Sequence, residues 1–201
     1  MAIPSAWRER IWTIPNAISV ARLLLLPVAL YWIVDEQYWA AGILIAVLGA
    51  TDWVDGWIAR RYDQGSELGK VLDPTADRLM LIAVAATLLL VGIVPWWFGV
   101  LVLLRELLIV IAVVILAGAG ARRIDVQWAG KAGTLALMFA FPAFVFFDQT
   151  HGVLHVVCGL VAYGFAIAGL GLSYWAAWHY VPLARDALRE GRSGRIQGER
   201  S

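Results

Sequence analysis

The sequence predicts an all-α integral membrane protein, with six transmembrane helices enclosing a polar cavity that faces the cytoplasm and a short interfacial helix ahead of them. Three observations predict it. Hydrophobic residues make up 61% of the 201 and charged residues only 15%, well below the roughly 25% charge typical of a soluble domain. The apolar stretches recur in lengths of about 20 residues, enough to cross the hydrocarbon layer. The basic residues gather on one side of those stretches, as the positive-inside rule requires.

The residues before the first stretch, Ile3 to Trp12, contain acid, base and two tryptophans rather than the apolar core of a cleavable signal. They predict an interfacial helix with Trp7 and Trp12 at headgroup depth; a partly ordered terminus is the plain alternative. Spans follow at 16–34, 38–60, 73–94, 96–119, 127–147 and 154–180. Pro74 suits the first turn of the third. Glycines 42, 49, 130, 133, 159, 164, 169 and 171 sit in spans or at their ends, where small residues let helices approach closely. Tryptophans near the span ends form an aromatic belt. Cys158 is the single cysteine, which excludes an intrachain disulfide. No linker or repeat divides the chain, so it reads as one membrane domain over 1–184. An irregular basic tail follows over 185–201, with five arginines that are either solvated or laid on anionic headgroups.

Threading the spans in order puts Arg8, Arg10, Arg60, Arg61, Lys70, Arg78, Arg122, Arg123, Lys131 and the tail arginines on one side. Asp35, Glu36, Asp148 and His151 fall on the other, without Lys or Arg. Both termini are therefore expected on the cytoplasmic side of the cell membrane. No nucleic-acid partner is expected.

Four acids interrupt the second and third spans. Asp52, Asp55, Gly56, Ala59 and Arg60 share one helical stripe, and Gly69, Asp73 and Asp77 share another. Each acid near the membrane interior costs roughly 2.5–3.5 kcal/mol, so a purely structural role for all four would oppose insertion by about 10 kcal/mol. Shared cations or a polar cavity remove that cost. Carboxylate oxygens with no nearby histidine suit a hard ion, Mg2+ or Mn2+, over zinc, and two such ions a few ångströms apart hold a diphosphate. Gly56, Ala59 and Gly69 leave room for a phosphate or nucleotide to approach the backbone. Arg60 offers a planar donor fork, with snorkelling to the interface as its plain alternative. The bland reading of Gly56 and Gly69 is packing or a helix start.

The run D-x2-D-G-x2-A-R-x8-G-x3-D-x3-D from Asp52 to Asp77 resembles the signature of the CDP-alcohol phosphatidyltransferases. The opening Ile14-Pro15-Asn16-Ala-Ile-Ser19-Val-Ala-Arg22 resembles the first helix of the branch that holds the bacterial phosphatidylglycerophosphate and cardiolipin synthases. The resemblance implies that Asp52, Asp55 and Asp73 ligate two divalent cations on the diphosphate of CDP-diacylglycerol, and that Gly56, Ala59, Arg60 and Gly69 shape the CMP pocket. It implies that Asp77 helps bind the metals and acts as general base on the acceptor hydroxyl. It also implies a homodimer among membrane lipids. With no serine, cysteine or histidine nucleophile beside the stripes, direct displacement is the expected route.

Arg105, Glu106 and Lys131, with Arg22, are the candidate acceptor contacts. Members of the family that use glycerol 3-phosphate carry a further arginine one and a half to two turns after the Arg-Glu pair and a second lysine in a Gly-Lys-x-Lys-Thr segment. Here those positions read Ile111 to Val113 and Gly133. A small dianion needs basic partners, so the expected acceptor is phosphatidylglycerol, giving cardiolipin, with glycerol 3-phosphate as the alternative. Two remoter classes are an intramembrane prenyltransferase, which has no use for the Gly-x2-Ala-Arg portion, and a cation transporter, whose acids would lie nearer mid-membrane within symmetric repeats.

Overall fold

A computed structural model describes residues 14–62, 69–118 and 128–198, all of them in helices or the short turns between them. Six helices follow one another: α1 (Ile14–Val34), α2 (Tyr38–Tyr62), α3 (Gly69–Val91), α4 (Trp96–Gly118), α5 (Trp128–Gln149) and α6 (Gly152–Gly198). Among the described residues four stretches are long and apolar enough to span a membrane: Asn16–Val34, Trp96–Ile115, Trp128–Gln149 and Gly152–His179. A shorter apolar stretch, Tyr38–Thr51, lies in α2. The all-α membrane architecture agrees with the sequence, and no strand occurs among the described residues.

Two expectations need correction. The region after 184 is not irregular: α6 continues unbroken to Gly198, because 185–198 contains no proline and its Arg, Ala, Leu, Glu and Gln are strong helix formers. Pro74 is not in a first turn, since α3 starts at Gly69; the proline lies in the second turn, where it has no N–H to give to the carbonyl four residues before. The expected interfacial helix at 3–12 falls outside the described residues.

Helix α5 is the centre of the bundle. Its buried run includes Ala136, Leu137, Met138, Ala140, Phe141, Pro142, Ala143, Phe144 and Val145, so it is more enclosed by protein than the other three long apolar spans, which leave more of their surface outward. It packs on both α6 and α2, while α1 packs on both α2 and α3. Glycines set the spacing. A Cβ on Gly42 of α2 would meet the Phe146 ring of α5 at 2.8 Å, and one on Gly159 of α6 would meet Phe147 at 2.8 Å. Between lipid-solvated helices, such close van der Waals packing replaces the hydrophobic drive that holds a soluble core. Phe98 of α4 completes the centre, its ring centroid 5.4 Å from Phe141 and 5.1 Å from Phe144, within the range of favourable aromatic pairs.

The α1–α2, α3–α4 and α5–α6 turns are tight. Gly92 closes α3 with a left-handed φ of 84°, and the Ile93 amide donates back to the Leu88 carbonyl at 3.0 Å, satisfying groups that a helix end leaves open. Gly152 has φ 63° in the α5–α6 turn. Hydroxyls inside helices also find backbone acceptors: Thr87 Oγ1 donates to the Ala83 carbonyl at 2.8 Å and Thr150 Oγ1 to the Phe146 carbonyl at 2.8 Å, which keeps polar groups paired where no water is at hand.

Candidate active site

Of the buried polar residues, all but Thr150 lie away from those tight turns. Helix α1 shows why. One face carries Asn16, Ser19 and Arg22, all buried, and the same face then continues as Leu26, Ala29 and Ile33, also buried. The stripe changes from polar to apolar halfway along the helix without changing direction. Arg22 is only 1% exposed, and its Nη1 donates to Oδ1 of Asp77 on α3 at 2.5 Å. The bond is charge-assisted, which is what a buried guanidinium needs from its partner. Asp77 keeps 21% of its side chain exposed, so the pair joins a buried arginine to a partly exposed carboxylate. Asn16, Ser19 and Thr75, at the same end of α1 and α3, each have partners as well.

The other acids follow from helix continuity. Asp52 and Asp55 lie on the last turns of α2, ahead of Gly56, Ala59 and Arg60, and Gly69 and Asp73 lie on the first turns of α3, one turn apart and one turn before Asp77. Both predicted stripes are thus carried on helix. Their side chains, Asp77 excepted, fall outside the described residues. Helices α2 and α5 run antiparallel: Gly42 faces Phe146 and Gly49 faces Met138. Continued along both helices, that register runs the Asp52–Arg60 segment toward the start of α5, where Gly130 and Lys131 lie. Among the described residues no group of three or more His, Cys, Asp or Glu side chains is assembled for a metal. Still, the donor set carried by the stripes is all carboxylate, which fits a hard divalent ion.

A second polar cluster joins α4 to α5. Arg105 donates through Nη1 to its neighbour Glu106 and through Nη2 to Thr134 Oγ1 at 2.8 Å. Thr134 in turn donates to the Gly130 carbonyl at 3.0 Å. Arg105 and Glu106 are both buried, whereas Lys131 is exposed. Among the described residues, Arg105 Nε and Glu106 Oε2 have no hydrogen-bond partner, nor has the buried Ser173 hydroxyl of α6. Groups left so in a buried site are costly unless water or a ligand meets them. The structure thus brings Arg22 to Asp77, and Arg105 to Glu106 and Thr134, and leaves Lys131 exposed.

Sequence reasoning passed over Ser173, Tyr174 and the α1 stripe below Arg22. Tyr174 donates its hydroxyl to the Leu101 carbonyl at 2.9 Å and ties α6 to α4. For the α1 stripe a signal existed: Asn16, Ser19 and Arg22 recur every three residues in an apolar helix. For Ser173 there was none, because a small hydroxyl in a span reads as packing until its neighbours are known.

Comparison with known proteins turns this geometry into an assignment. Residues 12–181 match the family model described as CDP-alcohol phosphatidyltransferase. The chain belongs to that family. As a phosphatidyltransferase it acts in phospholipid biosynthesis, moving a phosphatidyl group from CDP-diacylglycerol. It is 36% identical over 176 residues to a Mycobacterium tuberculosis protein provisionally named cardiolipin synthase, covering 86% of this chain and 83% of that one. It is 35% identical over 190 residues to the Streptomyces coelicolor protein named cardiolipin synthase (CMP-forming), covering 90% and 86%. It is also 33% identical over 195 residues to the Pseudomonas fluorescens protein named CDP-diacylglycerol–glycerol-3-phosphate 3-phosphatidyltransferase, covering 89% and 94%.

Proposed function

We propose that this phosphatidyltransferase takes phosphatidylglycerol as its acceptor and makes cardiolipin, releasing CMP. The observation that carries the choice is the wall behind Gly133. A Cβ placed there would press on the Ser173 hydroxyl and lie 3.0 Å from both the Gly169 carbonyl oxygen and the Ser173 amide nitrogen of α6. Two of these neighbours are backbone, which cannot swing aside, so a side chain at the position that carries a second lysine in the glycerol 3-phosphate pattern would have to displace Ser173 and press on the backbone of α6. Ile111 and Val113, which stand where the further arginine would, are apolar and on the outer surface. A dianionic acceptor would lack both basic partners. A phosphatidylglycerol acceptor carries a single negative charge and is held by its tails in the bilayer. The match to proteins named cardiolipin synthase at 35–36% identity supports the same reading.

In this reading Asp52, Asp55, Asp73 and Asp77 hold two divalent cations, Mg2+ or Mn2+, whose charge offsets that of the CDP-lipid diphosphate. Gly56, Ala59 and Gly69 leave space for the nucleotide, and Arg60 donates to phosphate oxygens. Asp77 accepts the proton of the acceptor hydroxyl. The oxygen so freed attacks the lipid-side phosphorus, and the bond from that phosphorus to the CMP oxygen breaks. No covalent lipid–protein intermediate forms; trapping one would overturn this route. Both termini and the site face the cytoplasm, residues 1–184 form the catalytic domain with the basic extension 185–201 following it, and the enzyme works as a homodimer.

The test supplies purified protein with CDP-diacylglycerol and Mg2+, adds phosphatidylglycerol or glycerol 3-phosphate separately, and resolves the lipid product, with Asp77→Asn as control. Cardiolipin from phosphatidylglycerol alone supports the proposal. Phosphatidylglycerophosphate from glycerol 3-phosphate would show that exposed Lys131 and its surroundings suffice for the smaller anion, and would replace the proposal with that acceptor.

A further inference from the structure

We infer that Arg22 is a positioning residue for Asp77, and that the buried polar stripe of α1 is a third wall of the active site; this rests on the role given to Asp77 above. Arg22 was an acceptor candidate by sequence, but its placement gives it different work. At 1% exposure it is sealed between helices, and one of its guanidinium nitrogens is committed to Asp77 Oδ1 at 2.5 Å. Of the two, the 21%-exposed carboxylate is the one open to an acceptor.

A carboxylate turns easily about its last torsion, whose wells are broad. Binding one oxygen to a buried guanidinium restricts that freedom and so fixes how the carboxylate is held. Arg22 is itself immobile because α1 packs on both α2 and α3, with Ser19 and Asn16 one and two turns before it on the same buried face. Asp77 lies beside Ala76 and one turn before the buried Met80 and Leu81, so the helix that carries the acid is also locked against its neighbours. An acid that must receive a proton at a fixed point gains from such a hold, since displacements near 1 Å cost on the order of 100-fold in rate.

The test uses the purified full-length protein in detergent with CDP-diacylglycerol, Mg2+ and whichever of phosphatidylglycerol or glycerol 3-phosphate turns over. Arg22→Gln, Arg22→Lys and Asp77→Asn are compared for kcat, for KM of each substrate, for thermal melting and for Mn2+ binding by electron paramagnetic resonance. Arg22→Gln is expected to lower kcat about 10- to 100-fold with both KM values within about threefold of wild type. Mn2+ is expected to bind at least as tightly, because a positive neighbour of the site has been removed. Arg22→Lys, which keeps the charge without the fork, falls between the two.

Wild-type kcat in Arg22→Gln overturns the inference. So does a raised acceptor KM at unchanged kcat, which makes Arg22 an acceptor contact, and so does parallel loss of Mn2+ binding and turnover, which makes it a scaffold strut. If Arg22→Gln does not fold, Arg22→Lys decides: lowered kcat with intact Mn2+ binding supports positioning, and wild-type kcat overturns it. Wild-type turnover in Asp77→Asn sinks the role of Asp77 itself, whereas an inactive Asp77→Asn beside a fully active Arg22→Gln overturns the positioning alone.

Discussion

The two ends of the bundle are built from the same six helices and solve opposite problems. At the end with the tight turns, Phe98, Phe141 and Phe144 meet at ring distances of 5.1–5.4 Å, glycines bring helices into contact with rings, and amides of the α1–α2 and α3–α4 turns donate to backbone carbonyls. At the other end charged groups are buried, as Arg22 with Asp77 and Arg105 with Glu106. Packing stabilises the first; the second spends stability, because each buried ion loses hydration that its partner only partly restores. The difference teaches where to look for chemistry: the site is the region whose cost no packing argument explains.

Substitutions that separate the two ends sharpen the contrast. Asp77→Asn is expected to show the largest effect, a loss of metal-dependent CMP release of about 100- to 10,000-fold with little change in thermal melting, since an asparagine still offers an oxygen to Arg22; unimpaired release would break the comparison. Removing divalent cations with a chelator should abolish release in the wild type and restore it on adding Mg2+ back. Phe144→Ala, at the packed end, should do the reverse, lowering stability by about 3 kcal/mol while the folded fraction keeps its turnover, as read by melting and by kcat per active site. Gly133→Ala should cost about 1–3 kcal/mol through overpacking against α6, and because it sits beside the acceptor candidates it should also disturb acceptor KM. The smallest effect is expected at the lipid-facing Leu90, 87% exposed, where Leu90→Ala should change melting by no more than about 0.5 kcal/mol.

Legibility in the sequence followed the range of the interaction. Helix limits came within a few residues because an apolar run of spanning length is a local property: 96–119 against Trp96–Gly118, and 127–147 against Trp128–Gln149. The two acid stripes were equally readable, since i, i+3 and i, i+4 spacing places residues on a face before any tertiary contact exists. The end of α6 was misread because a charged segment looks the same whether helical or irregular when its partner surface is unknown. Pro74 was misread because a proline near a span start suggests a first turn, while the glycine and lysine before it carry no signal for where α3 begins.

By itself, then, the sequence determined the class, the spans and the carboxylate pattern, all of which depend on residues close in the chain or on bulk hydropathy. Only the tertiary structure decided that Arg22 belongs to Asp77, 55 residues away, that Arg105 and Glu106 are sealed against Thr134, 29 residues beyond Arg105, and that α6 closes the space beside Gly133. The reason is physical: a charge buried in a membrane bundle must find whichever partner the packing of helices brings within about 3 Å, and that packing is set by side chains throughout all six helices.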